Sequence, residues 1–295
     1  MTTKKQHFVP RFYLRHFTNT DGKLQVYRQG ADAYFPTAPE NICAENYLYE
    51  VRRLGFGEQD GNPERLHNYI ENQLAGSESR LAQLYEQLIH CCEKHDFETD
   101  EYHEGRLTAC VLAANLIVRH PHFLESDRLG ASELTKTFLA TNAITDREQW
   151  MLEQIGIGDD LDMVSEIAIM QTLLLSGHPD VPFNRIYNAF ADKRMTVIQA
   201  PVGMGFITTS MPLVLIGIDE DAYDFQVAYM PLSSKHAALF STDEHVVEFG
   251  RASLDEVIQF NVALLTNGFW DMAMSHAKGA LEIPVRRWKE LGEAQ

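Results

Sequence analysis

Cysteine is scarce in this chain. Four occur in 295 residues (Cys43, Cys91, Cys92 and Cys110), with no C-x-x-C pair. That excludes a disulfide framework of the kind that staples small secreted domains and leaves reduced, structural thiols as the expectation. Long apolar runs are missing too. "LTACVLAANLIV" and "SEIAIMQTLLL" fall short of the ~20 apolar residues that span a bilayer, and read as buried helices. No apolar run follows Lys4 and Lys5, so a secretory leader is not expected and a cytoplasmic location is. G-x-S-x-G, a P-loop and the dinucleotide-binding glycine fingerprint are all absent, so no cofactor is expected. "GMGF" around Gly205 reads as a turn between strands.

Basic residues are also in deficit. Lys and Arg number 25 against 42 Asp and Glu, a net charge of −17 with histidines neutral. Nucleic-acid binders gain affinity by neutralising phosphates, so a nucleic-acid partner is not expected. The weak basic clusters at Lys4, Lys5, Arg11 and Arg15 and at "RRWK" do not offset the total. The same field would attract a cationic protein, such as the basic groove of a nuclease.

What is present is a 45% hydrophobic chain, long enough for a large core. "KLQVYRQG" reads as a short alternating strand and "AYFPTAP" as its hairpin return. "GFGEQDGNPE" is a loop that hands over to a helix at Pro63. Leu66, Ile70, Leu74, Leu81, Leu84 and Leu88 then recur at mostly helical steps as far as Lys94. A second helix is predicted over 100–118, ended by Pro121, and shorter ones over 131–142, 146–156, 160–176 and 182–191. After Lys193 come short β-branched segments, read as strands of one largely antiparallel sheet. A long helix is predicted over 253–276 with Ser253 as N-cap, followed by an extended tail. The class is therefore α+β, a helical middle packed with a mainly antiparallel sheet. Three stretches, 1–62, 63–192 and 193–295, are read as parts of one compact unit.

Four features carry possible chemistry. In "QHFVPRFYLRHF", residues 6–17, Pro10 fixes its own φ and pushes Val9 toward an extended conformation. Phe8, Phe12, Tyr13, Leu14 and Phe17 are anchors worth roughly 1.5–3 kcal/mol each when buried. The segment reads as a plug that closes the core, with His7 either a hydrogen-bonded core residue or a base or metal ligand. Glu64, Glu71 and Glu78, spaced by seven, form a helical stripe drifting ~20° per step, with His67 one turn before Glu71. Such a stripe is solvated, or holds a divalent ion if another element adds ligands. In "VRHPHF", Arg119 either clamps an anion bidentately or caps its own helix. His120 and His122, two apart, make a poor metal pair, and His90, Cys91, Cys92 and His95 lack zinc spacing. Finally, Asp219, Glu220, Asp221 and Asp224 crowd one loop, either solvated or a contact surface.

These stretches together resemble the bacterial domain-of-unknown-function 4238 family, whose activity is not established. "KKQHFVPRFYLRHFT" is similar to its opening histidine–proline–tyrosine–leucine–phenylalanine signature. "ENYLYE", "IENQLAGSES", "VRHPHF", "YMPLSSKHAALF" and Asn261 resemble its later motifs, over residues 4 to 276. The resemblance implies that His7, Glu71, Glu78, Arg119 and the 208–212 turn converge. Where the family motif reads threonine–serine–aspartate–asparagine–proline, this chain has Ser210 and Met211 in place of the acid and the amide. A catalytic aspartate would thus be lost.

Two functions follow as expectations. One is an acidic cytoplasmic protein that neutralises a protein partner through Asp219, Glu220, Asp221 and Asp224, as an immunity protein does a bacterial toxin, a nuclease being one example. It would bury about 1,600 Å². The alternative is a metal-dependent, nuclease-like hydrolase using His7, Glu71 and Glu78 as ligands or bases, with Arg119 stabilising an anion.

Overall fold

Two sheets and a short ribbon are laid against helices in the computed structural model, which describes residues 5–49, 69–126, 181–218, 224–243, 247–266 and 270–293. The ribbon pairs β1 (Lys5–His7) antiparallel with β4 (Ala44–Asn46). Between them run α1 (Arg11–Arg15), the hairpin strands β2 (Leu24–Arg28) and β3 (Ala33–Thr37), and a 3₁₀ turn, Pro39–Asn41. The hairpin is the one expected, with Leu24 opposite Thr37. Pro36 is tolerated because β3 is the edge strand of its sheet.

Helix α2 (Tyr69–Lys94) packs on α3 (Asp100–Val118), and α3 on α4 (Pro182–Ala191). Along α2, Leu74, Tyr85 and Leu88 are buried while Leu81 and Leu84 are half-buried. Thr99 caps α3 by accepting the Tyr102 N–H. The α3 interior is apolar on most sides, from Ala109 to Val118, as befits a helix enclosed by its neighbours. Gly105 lets it approach α2: a Cβ there would lie 2.8 Å from that of Leu88. The helices expected over 131–142, 146–156 and 160–176 lie outside the described residues; that over 182–191 is α4.

The later strands differ from the single sheet expected. β5 (Arg194–Gln199), β7 (Val214–Ile216), β8 (Val227–Pro231), β9 (His236–Ser241) and β10 (Phe249–Arg251) form five strands in the order β10-β5-β9-β8-β7, antiparallel except for β10 with β5. β6 (Thr208–Thr209) instead joins the N-terminal hairpin, in a sheet ordered β3-β2-β11-β6. The central strand β11 (Met272–Ser275) falls inside the helix expected over 253–276. That helix is two: α5 (Leu254–Thr266) and, beyond β11, α6 (Lys278–Glu293). "WDMAMSH" has a helical stripe only if Trp270 and Met274 are read together. Its alternation instead suits a central strand buried on both faces, as Met272, Ala273, Met274 and Ser275 all are. The tail is helical despite Pro284, because Leu281 and Val285 bury themselves against Trp270 and Tyr27. Ser253 does cap α5: its Oγ accepts the Glu256 N–H, and Glu256 accepts the Ser253 N–H in return.

The opening stretch behaves as a plug. Phe8, Tyr13, Leu14 and Phe17 are buried in the main core. The Tyr13 hydroxyl meets Thr208 Oγ1 at 2.9 Å and donates to the Pro231 carbonyl at 2.8 Å, joining α1 to both sheets. No helix among the described residues is long and apolar enough to cross a membrane.

Candidate functional site

Arg119 stands at the C-cap of α3, where Pro121 stops the helix from continuing uninterrupted. Its side chain does not turn back to cap its own helix. The guanidinium is buried and spread over three partners: Nη1 donates to Glu78 Oε1 at 2.5 Å, Nη2 to the His7 carbonyl at 2.6 Å, and Nε to the Tyr49 hydroxyl at 2.9 Å. Tyr49 in turn donates to the same His7 carbonyl at 2.9 Å, and its N–H bonds Gln6 Oε1 at 2.7 Å. Burial works against the charge, but Tyr49 and Glu78 together outweigh it and hold the guanidinium protonated.

Three of the four residues expected to converge therefore do, with α2 supplying Glu78, α3 Arg119 and β1 His7. For Glu71, only the α2 backbone is described; its side chain, with Glu64 and His67, lies outside the described residues. The chemistry of the convergence is structural pairing. Glu78 spends its carboxylate on Arg119, and His7 contributes its main-chain carbonyl. The His7 ring is half-buried, and its Nε2 has no partner among the described residues. Burial, helped by the nearby Arg11 charge, keeps that ring below its usual pKa and neutral at pH 7. No group of three His, Cys, Asp or Glu able to hold a metal occurs among the described residues.

The turn with the altered family motif is also accounted for. Ser210 is buried; its N–H donates to the Met272 carbonyl at 2.9 Å and its Oγ accepts the Asp271 N–H at 3.0 Å. Asp271, just before β11, is thus tied to this turn through its main chain. Asn261 is buried too: it accepts the Ile207 N–H and donates to the Gly205 carbonyl, at 3.1 and 3.0 Å, fixing the approach to β6. His120 and His122, two apart in sequence, line one cleft: α3 ends at Val118, and a new helical stretch that carries His122 begins at Pro121. His90, Cys91, Cys92 and His95 sit at the end of α2, with both thiols buried.

Of the acidic loop, Asp219, Glu220 and Asp221 lie outside the described residues. Asp224 is described, and it is ion-paired to the buried Lys193 ammonium. Lys193 also donates to the Ala189 carbonyl at 3.0 Å and lies 4.2 Å from the Phe225 ring centre. The lysine holds the Asp224 carboxyl below its ordinary pKa.

Tyr49 and Asp271 were missed in the sequence. Tyr49 had a signal, its place in "ENYLYE"; Asp271, a lone acid ahead of a strand taken for helix, had none.

The fold and site define an α+β protein whose N-terminal strand is locked to two helices by a buried arginine. The chain belongs to the family described as protein of unknown function (DUF4238), whose profile matches residues 5–278. Neither a curated protein nor a solved structure matches it.

Proposed function

We propose that this chain is an acidic cytoplasmic binding protein that neutralises a cationic protein partner, in the manner of an immunity protein against a bacterial toxin such as a nuclease. One observation carries the reading. Around the start of α3, Asp96, Glu98, Asp100, Glu101 and Glu104 are all exposed, and none is ion-paired to a lysine or arginine among the described residues. Within a chain of net charge −17, such a segment concentrates negative potential on one surface. It is distinct from the contact surface expected at Asp219, Glu220, Asp221 and Asp224, of which Asp224 is partly committed to Lys193. The engagement of Glu78 by Arg119 argues in the same direction, since these two residues of the hydrolase alternative are tied up in holding the fold.

The test is capture of the partner from the native host at low salt, followed by association kinetics with the purified partner. Association should slow steeply as ionic strength rises. Salt-independent binding, or turnover of a phosphodiester by the pure protein, overturns the reading.

A further inference from the structure

Beside the arginine lock opens a cleft of about 720 Å³, bounded by Phe8, Arg28, Glu45, His120, Trp270 and Asp271 among others. Its charges are opposed but not paired. Arg28, at the end of β2, points its guanidinium at the Met272 sulfur, 3.6 Å away, and lies 5.5 Å from the Phe35 ring centre. No ion pair among the described residues joins it to Glu45 or Asp271, although all three border the same space. Asp271 is fixed there by its main chain, whose N–H goes to Ser210 and whose carbonyl accepts from Gln29 at 3.0 Å. Its carboxylate takes no part in those bonds. His120 Nδ1 accepts the His122 N–H at 3.3 Å, which leaves the ring proton on Nε2. Trp270 donates its indole N–H to the Leu265 carbonyl at 2.7 Å, so what it offers the cleft is apolar surface.

The choice of ligand follows by elimination. A simple anion would meet two carboxylates, and a simple cation would meet Arg28. A wholly apolar molecule would bury three charges without partners, which is costly. A metal ion lacks the ligand set among the described residues. We propose that this cleft binds a small zwitterion of the amino-acid class, its carboxylate on Arg28, its ammonium taken by Asp271 and Glu45, and its side chain against Trp270 and Phe8. The volume falls in the range of roughly 300–1,000 Å³ typical of small-molecule sites. This site is independent of the acidic surface around α3, and its test is separate.

Thermal shift and calorimetry with the full chain, using the free L-amino acids one at a time, decide the matter. Those with apolar side chains should raise Tm and bind. Their N-acetyl and C-amide derivatives, each lacking one charge, should bind about tenfold or more weakly. Arg28→Met and Asp271→Asn should each weaken binding to a similar degree. Asp271→Asn keeps the main-chain bonds of the residue, so it remains informative if Arg28→Met does not fold. Absence of binding by every free amino acid overturns the proposal. So does equal binding of the blocked derivatives, or unchanged binding in a folded variant.

Discussion

Arg119 reaches Glu78 and the main-chain carbonyl of His7 with two nitrogens of one guanidinium, at 2.5 and 2.6 Å. The side-chain exposures are 3% for Arg119 and 25% for Glu78. A charge so enclosed costs several kcal/mol to desolvate, and its partners offset that cost only as a set. Arg119→Met therefore leaves the Glu78 carboxylate, the Tyr49 hydroxyl and a carbonyl short of a donor. Chemical denaturation should show a loss of about 3–5 kcal/mol. Glu78→Gln, which keeps an acceptor, should lose about 1–3 kcal/mol. The double variant should lose less than the sum, because both substitutions remove the same contact.

Gly105 sets how closely α2 and α3 approach. An added methyl would meet Leu88 Cβ at 2.8 Å and its Cα at 3.1 Å, and backbone cannot give way as a flexible side-chain tip can. Helix propensity alone would favour alanine over glycine by about 1 kcal/mol. Crowding should outweigh it, leaving Gly105→Ala less stable by about 1–2 kcal/mol in urea unfolding. A more stable variant would mean that the helices slide apart freely.

The plug, the hairpin, the 100–118 helix and the Ser253 cap were legible because each depends on near neighbours in the chain. Pro10, the β-branched alternation and the Ser253–Glu256 pair act over a few residues. What was not legible depends on partners far along the chain. β11 is a strand because β2 and β6 flank it, from positions more than 60 residues away, and its own sequence is equally apolar in either periodicity. The same holds for the site. Arg119 could be singled out, but whether it met a ligand or Glu78 depended on how α2 lies on α3. Asp271 reached the Ser210 turn only through the β6–β11 pairing.

Buried histidines set an acid limit on stability. His120 and His236 are drawn down by burial from 6.5 to about 4, and His7 and His16 shift the same way. Between those values the unfolded chain takes up protons that the folded chain refuses. The stabilisation is therefore complete above about pH 6.5, declines as pH falls towards about 4, and levels off below. Urea unfolding between pH 7.5 and 4.5 should show about 1–3 kcal/mol lost for each of His120 and His236. His236→Gln should flatten that slope. An unchanged slope would assign it to other groups.

Asp224 has two potential tasks, and they can be separated. Lys193 is 2% exposed at its side chain, whereas Asp224 is 60% exposed. Asp224→Asn removes the counter-charge of a buried ammonium and should cost about 1–3 kcal/mol in stability. If the carboxylate stays with Lys193, the same substitution should alter partner association far less than removal of unpaired acids does. A large effect on association with little on stability would place Asp224 in the contact surface instead.

The acids around α3 allow the electrostatic reading to be tested without disturbing the fold. Asp100 and Glu101 occupy the first turn of the helix, where each contributes about 0.3–1 kcal/mol through the helix dipole. Asp96, Glu98 and Glu104 lie outside that turn, so the triple variant Asp96→Asn, Glu98→Gln, Glu104→Gln should keep its Tm. Removing three unpaired charges should reduce the association rate with a cationic partner about tenfold at low salt, with little change in dissociation. The difference should close near 0.5 M salt, where screening falls to a few ångströms. A triple variant that associates at the wild-type rate in low salt would move the contact surface elsewhere on the molecule. One that dissociates faster instead would mean that these acids make direct bonds across the interface.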